Sequence, residues 1–493
     1  MFPLLGTVSI SIENRRVWDG FRTDGKIYPM SDFTTYQSPF SWRYGSPAMR
    51  QTWSEHHKRL LWRKIWVALA EAQADYGLVR PEQAADLRAH AEEIDIPRAL
   101  EIEAEIHHDL MAEVRVFAEQ AQIGGGIIHF GATSMDVEDN ADALRLRESL
   151  DLTLDSLRQL LRALHPHLVK QADTPLIAFT HIQPAEPSTL GYRLAQYAQD
   201  LLEDYQTLKE TRQNIRGKGF KGAVGTSASY AELLGAENVA DFEQELSKKL
   251  NLPFYPVATQ TYPRKQDYTV LTALAGLAQS LYKIAFDLRL LQSPPIGELS
   301  EPFGSKQVGS SAMPFKRNPI RAEKIDSLGR YLAQLPRIAW DNAAHSLLER
   351  TLDDSANRRT ILPEAFLAAD EMLQTMRAIL AGLRINDSAI RRNLDTYGPF
   401  AATERVLMAA VKADASRQEI HETIRAQSMT AWEAIRNGET NPLVENLSKD
   451  PEILHYLSKE QIIELMDYAH HIGNAPEKAR EMARAVEAVI SEQ

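Results

Sequence analysis

Four polar segments of this sequence carry the residue types that acid–base chemistry and anion binding require. The richest is GSSAMPFKRNP, residues 309–319, which has two serines after a glycine and a lysine before an Asn-Pro pair. Glycine permits close approach of the backbone to a ligand, and Ser310 offers a hydroxyl and a backbone N–H. Asn318 and Pro319 predict the N-cap and first residue of a helix. Because a helix N-terminus favours anions, Lys316 just ahead of it predicts an anion-binding loop.

The segment FTHIQPAEPS presents a histidine between polar residues and two prolines. Histidine changes charge near neutral pH, so His181 on a rigid polar loop is a better acid–base candidate than most of the 14 histidines. The prolines predict an extended path, and Pro187 with Ser188 predicts the start of a helix.

Two further segments lie closer to the N-terminus. HHDLMAE has His107, His108 and Asp109 at a predicted helix start. These residues are consistent with a metal site or with a solvated helix face. The i, i+4 histidine spacing of a helical zinc site is missing. GGGIIHFGATSMD contains His129 and then Thr133 and Ser134, which predict either an ordinary helix cap or a cap whose free N–H groups bind an anion.

Two segments have less specific composition. ERTLDDSANRR, with Arg350, Ser355, Arg358 and Arg359, is consistent with a salt-bridge network or with a phosphate site. RGKGFKGAVGT, from Arg216, lacks the spacing of a nucleotide-binding loop, so we interpret it as the connection after a long helix.

The bulk composition limits the class of protein. The chain has 493 residues, 44% hydrophobic and 25% charged residues, and no cysteine, which excludes disulfides and thiolate metal sites. A net charge of −12 disfavours a general nucleic-acid surface. The N-terminus is not a convincing signal peptide and no stretch approaches the roughly 20 apolar residues of a membrane span, so we expect a cytoplasmic protein without membrane contact.

Long helices must position these segments. Apolar residues recur at steps of three and four in three heptad-like seams. The seams are Leu150, Leu154, Leu157, Leu161 and Leu164; Leu190, Leu194, Tyr197, Leu201 and Leu208; and Leu274, Leu277, Leu281, Ile284, Leu288 and Leu291. They predict an all-α protein with an elongated central bundle at residues 134–384, a mostly helical N-terminal domain at 1–133 and a helical C-terminal domain at 385–493. Helices of this length also favour self-association.

The segments resemble, in order and spacing, the motifs of the fumarase/aspartase superfamily. SSAMP-x-KRNP, GIIHxGATS, FTHxQPA, QTYxRK and RTLDDSANRR are most similar to the adenylosuccinate lyase family, particularly its animal-like branch. The resemblance runs from about Arg43 to about Arg425. It implies the three-domain fold of that superfamily, a homotetramer with active sites shared between subunits, and no metal or organic cofactor.

The resemblance implies a C–N lyase of the amidine-lyase type. Its substrates would be adenylosuccinate, giving AMP and fumarate, and the succinyl-carboxamide ribotide of purine biosynthesis (SAICAR), giving AICAR and fumarate. By resemblance, Ser310 is the general base, His181 the general acid and Glu323 the partner of that histidine, while Lys316 stabilises the negative charge. The residues that match substrate-binding positions are Arg43, Tyr44, His108, Asp109, His129, Thr133, Ser134, Gln260, Asn318, Lys324, Arg350, Ser355 and Arg359.

Two positions depart from the family pattern, because His107 and Lys324 stand where the family usually has arginine. Both can carry positive charge but lack the planar fork of arginine, so contacts with the nucleotide phosphate can differ. Three alternatives remain: another lyase of the superfamily such as argininosuccinate lyase, fumarase or aspartase, a catalytically inactive relative, and a helical scaffold that binds anions. The arginine-rich cluster favours a nucleotide substrate, and the retained acid and base favour an enzyme.

Overall fold

The computed structural model describes residues 33–492, which belong to two separate units, residues 1–43 and 44–493. In the described part of the first unit, Ser38 caps the short helix α1 (Pro39–Trp42), with Pro39 as its first residue. The ring of Trp42 packs edge-on against Phe33 at 5.2 Å, and the guanidinium of Arg43 lies 5.5 Å from the centre of the Trp42 ring.

The second unit is built almost entirely from helices. They are α2 (Pro47–Thr52), α3 (Glu55–Asp75), α4 (Pro81–His90), α5 (Ile96–Ile106), α6 (Asp109–Gln120), α7 (Ser134–Lys170), α8 (Leu190–Asn214), α9 (Ala228–Leu234), α10 (Val239–Lys249), α11 (Lys265–Leu291), α12 (Ile320–Leu332), α13 (Leu335–Ala344), α14 (Asp353–Ala381), α15 (Asp387–Lys412), α16 (Arg417–Arg436), α17 (Leu443–Lys449), α18 (Pro451–Leu454), α19 (Lys459–Leu465) and α20 (Ala475–Ser491). Two antiparallel pairs complete it: β1 (Pro175–Thr180) with β2 (Gln183–Thr189), and β3 (Leu299–Ser300) with β4 (Arg384–Ile385).

The centre of the unit is a bundle of α7, α8, α11, α12, α14 and α20. The three apolar seams lie on α7, α8 and α11, and their side chains are buried between the helices. Helices of 37, 25 and 27 residues therefore supply the bundle that the periodicity predicts. The all-α prediction is confirmed, whereas the domain boundaries at 133/134 and 384/385 stay predictions.

Helix α11 corrects one expectation about composition. By length and composition alone this helix is apolar enough to cross a membrane, whereas no stretch of that kind is expected from the sequence. In the fold it packs against α8, α12 and α14, and its apolar seam forms part of the bundle core.

The predicted start of the helix after the FTHIQPAEPS segment is wrong by a few residues. Helix α8 begins at Leu190 with Thr189 as its N-cap, so Pro187 and Ser188 belong to strand β2. Both prolines of the segment lie in strand β2, which confirms the predicted extended path before the long helix. The glycine-rich segment from residue 216 does follow the end of α8 at Asn214, as predicted.

Candidate active site

Three helices of the second unit begin at one cavity of about 460 Å³, which we call the arginine cavity. Asp109 at the start of α6, Ser134 at the start of α7 and Ser355 in the first turn of α14 all line it. A helix N-terminus carries partial positive charge and unpaired N–H groups. Three such ends at one cavity make it suited to an anion.

The cavity gathers more than half of the predicted substrate-binding residues, drawn from four distant parts of the chain. They are His108, Asp109, Thr133, Ser134, Gln260, Arg350, Ser355 and Arg359. Local sequence explains two of the helix starts: His108 caps α6, and Thr133 caps α7 while its backbone N–H donates to Asp136 at 3.0 Å. His107, the departure from the family pattern, also lines the cavity and ends α5 in a left-handed conformation.

The arginine cluster forms a salt-bridge network and also supplies two arginines to the cavity, whereas phosphate binding stays a prediction. Arg358 is buried and binds Asp267 at 2.7 Å and Asp142 at 3.1 Å, so it belongs to a salt-bridge network. Arg359 and Arg350 line the cavity, where each also pairs with an aspartate. An arginine has five N–H donors, so one carboxylate leaves donors for a ligand.

Buried acid groups hold this cluster in place. Burial opposes the ionisation of Asp354, but Arg264 and Arg350 outweigh it and hold the pKa of Asp354 below its usual value. Burial also opposes the ionisation of Asp142, whose pKa is nevertheless lowered to about 2 by Arg145 and Arg358. Both carboxylates are therefore charged at neutral pH and fix the arginines around the cavity.

His129 lies behind the cavity wall rather than in it. Its Nδ1 accepts a hydrogen bond from the indole N–H of Trp66 at 3.1 Å. Burial lowers the pKa of His129, with Asp136 acting in the opposite sense and His108 adding to the decrease. His129 is therefore neutral, with its proton on Nε2, and does not offer a positive charge to a ligand in the cavity.

Asp136 anchors the start of α7 from inside the protein. Its carboxylate, fully buried, accepts from the backbone N–H groups of Lys221 at 3.1 Å and Gly222 at 3.2 Å. Lys218, also fully buried, forms an ion pair with it and donates to the Gly222 carbonyl at 2.9 Å. The glycine-rich segment thus acts as a brace for Thr133 and Ser134.

His181 occupies the tip of the β1–β2 hairpin, outside the arginine cavity. His181 and Ile182 form the turn between Thr180 and Gln183, with φ of 54° and 59°. Left-handed conformations at both central positions define a type I′ turn, which usually takes Asn or Gly. A β-branched Ile182 there is strained, and strain of this kind collects at functional sites.

The serine loop, residues 309–319, presents Ser310 in an ordered turn. The Ser310 Oγ accepts from the backbone N–H groups of Ala312 at 3.3 Å and Met313 at 3.1 Å. Asn318 donates to the Gly309 carbonyl at 3.1 Å and closes the loop. A Cβ at Gly309 would collide with the Lys316 carbonyl, so a residue without a side chain is required there.

The predicted N-cap of the next helix is wrong by one residue. Helix α12 begins at Ile320 and Pro319 is its N-cap, so Asn318 does not cap it. A distant carboxylate performs that function: Glu301 accepts from the N–H groups of Arg321 and Ala322, each at 3.1 Å. These two N–H groups are therefore occupied and do not face an anion at Lys316.

The remaining predicted residues of the second unit lie near α12 and α2. Glu323 is exposed in the first turn of α12. Lys324 binds Glu371 at 2.5 Å, and the same carboxylate accepts from the N–H of Gly45 at 3.1 Å, next to Tyr44. Arg43 belongs to the first unit. The predicted acid, base and carboxylate-binding residues therefore do not line the arginine cavity of a single chain.

Residues 33–492 contain no cluster of three or more histidine, cysteine or acidic side chains arranged for a metal ion.

Some residues of the cavity are not predicted from the sequence, among them Glu138 and Arg145 on α7 and Trp62 on α3. For Glu138 the only signal is the acidic run at 136–142, which does not reveal which face of α7 meets the cavity.

Family profiles and individual relatives match most of this chain. The profile of the family described as Lyase matches residues 43–331, and that described as Adenylosuccinate lyase C-terminus matches residues 399–482. The chain is 38% identical to the adenylosuccinate lyase of Saccharomyces cerevisiae over 463 residues, which cover 92% of this chain and 95% of that protein. It is 38% identical to the adenylosuccinate lyase of Schistosoma mansoni over 458 residues, 91% and 94% of the two chains.

Solved structures share the fold. The 3-carboxy-cis,cis-muconate lactonizing enzyme of Pseudomonas putida superposes with a TM-score of 0.81 at 25% identity, covering 92% of this chain and 99% of that one. The fumarate lyase of Mesorhizobium sp. BNC1 superposes with a TM-score of 0.79 at 25% identity, covering 91% and 99%.

Proposed function

We propose that this chain, which belongs to the adenylosuccinate lyase family, is a C–N lyase that eliminates fumarate from adenylosuccinate to give AMP. By the same reaction it would convert SAICAR into AICAR in purine nucleotide biosynthesis. The observation that carries this proposal is the arginine cavity, where three helix N-termini meet Arg350 and Arg359. A nucleotide phosphate needs donors of this kind.

The elimination requires a base for a proton on carbon. Ser310 would take that proton as its alkoxide, because two backbone N–H groups already bind its oxygen and would stabilise the negative charge. Removal of the proton leaves an aci-carboxylate, whose concentrated negative charge would be stabilised by Lys316 and by the amide of Asn318. The electron pair then forms the double bond of fumarate as the C–N bond breaks.

The leaving nitrogen requires an acid. His181 would donate a proton to that nitrogen from the tip of its hairpin, and Glu323 would orient the imidazole and favour its protonated form. The left-handed turn fixes the backbone of His181 at the tip of the hairpin, and a fixed backbone limits the entropy that is lost when the imidazole meets the substrate.

We infer a homotetramer in which each active site takes residues from several subunits. Two observations support it: Ser310 and His181 do not line the cavity of their own chain, and large apolar side chains are exposed along the bundle. Among them are Tyr192 on α8 at 46% and Phe286 on α11 at 52% exposure. Light scattering coupled to size exclusion tests this, and a stable monomer at micromolar concentration would contradict it.

We also propose a cytoplasmic location, since a chain without cysteine suits a reducing compartment. Fractionation of the source cells tests this directly, and recovery in a membrane or secreted fraction would contradict it.

The reaction is tested by incubating the purified protein with adenylosuccinate and following the ultraviolet absorbance as AMP forms. Argininosuccinate and aspartate serve as parallel substrates. We expect turnover of adenylosuccinate alone. Turnover of either other compound in its place would overturn the proposed substrate, and absence of any turnover would favour an inactive relative.

A further inference from the structure

Glu138 is a cavity residue to which the proposed mechanism gives no function. It lies about one helical turn inside α7 from Ser134, and its side chain lines the arginine cavity. Asp142 follows one turn later on the same face of the helix and lines the cavity as well. Asp109 and Asp139 are the other carboxyl groups that act on Glu138. An acidic group in a site for an anionic nucleotide requires an explanation.

The neighbouring carboxylates each have an arginine of their own. Asp109 binds Arg359 at 3.0 Å, and Asp142 binds Arg145 at 2.6 Å. Asp139, behind the wall, is bound by an arginine from the start of α11 at 2.9 Å. Arg359 is the cation that acts on Glu138, and it is already shared with Asp109.

Most of the other charged groups of the cavity are paired in the same way, since Arg358 binds Asp142 at 3.1 Å and His108 lies 3.9 Å from Asp109. Lys58 binds Glu55 at 2.8 Å, and Arg350 binds Asp354 at 2.8 Å. The remaining titratable or charged groups of the lining are Glu103 and His107. The cavity therefore has cations enough for its aspartates, and a further negative charge at Glu138 is poorly compensated.

The protonation of Glu138 follows from this arrangement. Burial is the main cause that raises the pKa of Glu138 to about 8, and Asp109, Asp142 and Asp139 add to it while Arg359 acts in the opposite sense. At neutral pH the side chain is therefore mostly a neutral carboxylic acid, which has an O–H to donate. An ionised Glu138 would instead repel an anion and compete for Arg359.

We propose that Glu138 binds the nucleotide as a neutral acid and donates its O–H to a phosphate oxygen, beside Arg359 and the N-terminus of α7. The inference rests on the proposed function, because it takes the arginine cavity as the phosphate site. It predicts that substrate binding needs a proton on Glu138, so that affinity falls in alkaline solution.

Calorimetric titration of the full chain with AMP tests the proposal. When binding requires the protonated form of a group with this pKa, the apparent affinity at pH 9 is about ten-fold lower than at pH 7. We expect that loss in wild type, with proton uptake visible as a difference between two buffers of unlike ionisation enthalpy. Adenosine, which lacks the phosphate, should show neither effect.

Variants separate this acid from other titrating groups. Glu138→Gln keeps a donor that cannot ionise, so it should bind AMP more tightly than Glu138→Ala at pH 7 and should lose the decrease at pH 9. Asp155→Asn is the matched control, an exposed acid on the same helix outside the cavity. It should retain the wild-type pH dependence.

The outcomes distinguish this inference from the function itself. If wild type turns over adenylosuccinate but binds AMP equally well at both pH values without proton uptake, the inference about Glu138 is wrong and the function stands. The same conclusion follows if Glu138→Gln keeps the full decrease or if adenosine shows it. If wild type neither binds AMP nor turns over adenylosuccinate, both proposals fail.

Discussion

Arg359 and Asp109, which are 250 residues apart in the sequence, form an ion pair of 3.0 Å at the arginine cavity. The pair joins the second turn of α14 to the first residue of α6, so the N-terminal parts of two helices are held together at the cavity proposed for the phosphate. Asp109 is largely covered whereas Arg359 is 62% exposed, which leaves much of the guanidinium open to a ligand. Arg359 thus contributes to the shape of the cavity, through its bond with Asp109, and to the positive charge of the cavity.

Arg359→Lys should weaken substrate binding more than it slows chemistry. Lysine keeps the charge but loses the planar fork that binds phosphate and carboxylate together, a difference of roughly 1–2 kcal/mol, or about ten-fold in KM. Steady-state kinetics with adenylosuccinate measure this. Arg337→Lys, in an exposed pair with Asp341 on α13, is the matched control. An unchanged KM in Arg359→Lys would contradict the assignment of Arg359 to the substrate.

His181→Ala and Ser310→Ala should each lower kcat by about 10² or more, because each removes one proton-transfer group. The far-ultraviolet circular dichroism should not change, since His181 is exposed and Ser310 lies on a loop. Near wild-type rates in either variant would refute its assigned function.

Mixing these two inactive variants should restore activity if active sites are shared between subunits. When the chains exchange and pair at random, roughly a quarter of the sites receive both an intact Ser310 and an intact His181. The measurement is the rate after the mixture has been partly unfolded and refolded, and each variant treated alone is the control. Persistent inactivity of a mixture that forms tetramers would contradict the shared site.

Helices of the bundle follow from the sequence because their signal is local. A residue such as Leu157 or Leu281 must face the core whenever its neighbours three and four positions away do. Helix starts are harder to predict, since a distant group can replace a local cap. Glu301 does so at α12, where its carboxylate binds N–H groups that the sequence assigns to Asn318.

Part of the site can also be predicted from the sequence, because the signal for it is local. Thr133 caps α7 through nearby residues, so its position at a helix start follows from the sequence. The position of Glu138 does not follow from the sequence, because only the packing of α3 and α14 against α7 decides which face of the helix lines the cavity. The strained turn at His181 and Ile182 cannot be predicted from the sequence either, since a β-branched residue such as Ile182 rarely adopts a left-handed conformation.

Lys218→Met should destabilise the protein strongly, because it leaves Asp136 buried without its cation. Loss of one partner of a buried pair typically costs 3–5 kcal/mol, whereas an exposed pair contributes about 1 kcal/mol or less. Lys209→Met is the matched control, since Lys209 binds Glu492 at 2.7 Å near the surface. Thermal unfolding of both variants measures the difference. Equal midpoints would show that the Lys218–Asp136 pair does not brace α7.

Glu138→Gln should stabilise the protein increasingly as the pH rises. The pKa of Glu138 is about 8 in the folded state, against 4.5 for an unperturbed glutamate, so the folded state binds more protons between these values. Protonated Glu138 therefore makes its full contribution to the free energy of unfolding below about pH 4.5. This contribution, on the order of a few kcal/mol, falls as the pH rises and is lost above about pH 8. A neutral amide does not incur this loss. Unfolding midpoints at pH 6 and pH 9 should differ less in the variant than in wild type, while Asp155→Asn should follow wild type. A constant offset between Glu138→Gln and wild type across this range would mean that Glu138 is ionised throughout it.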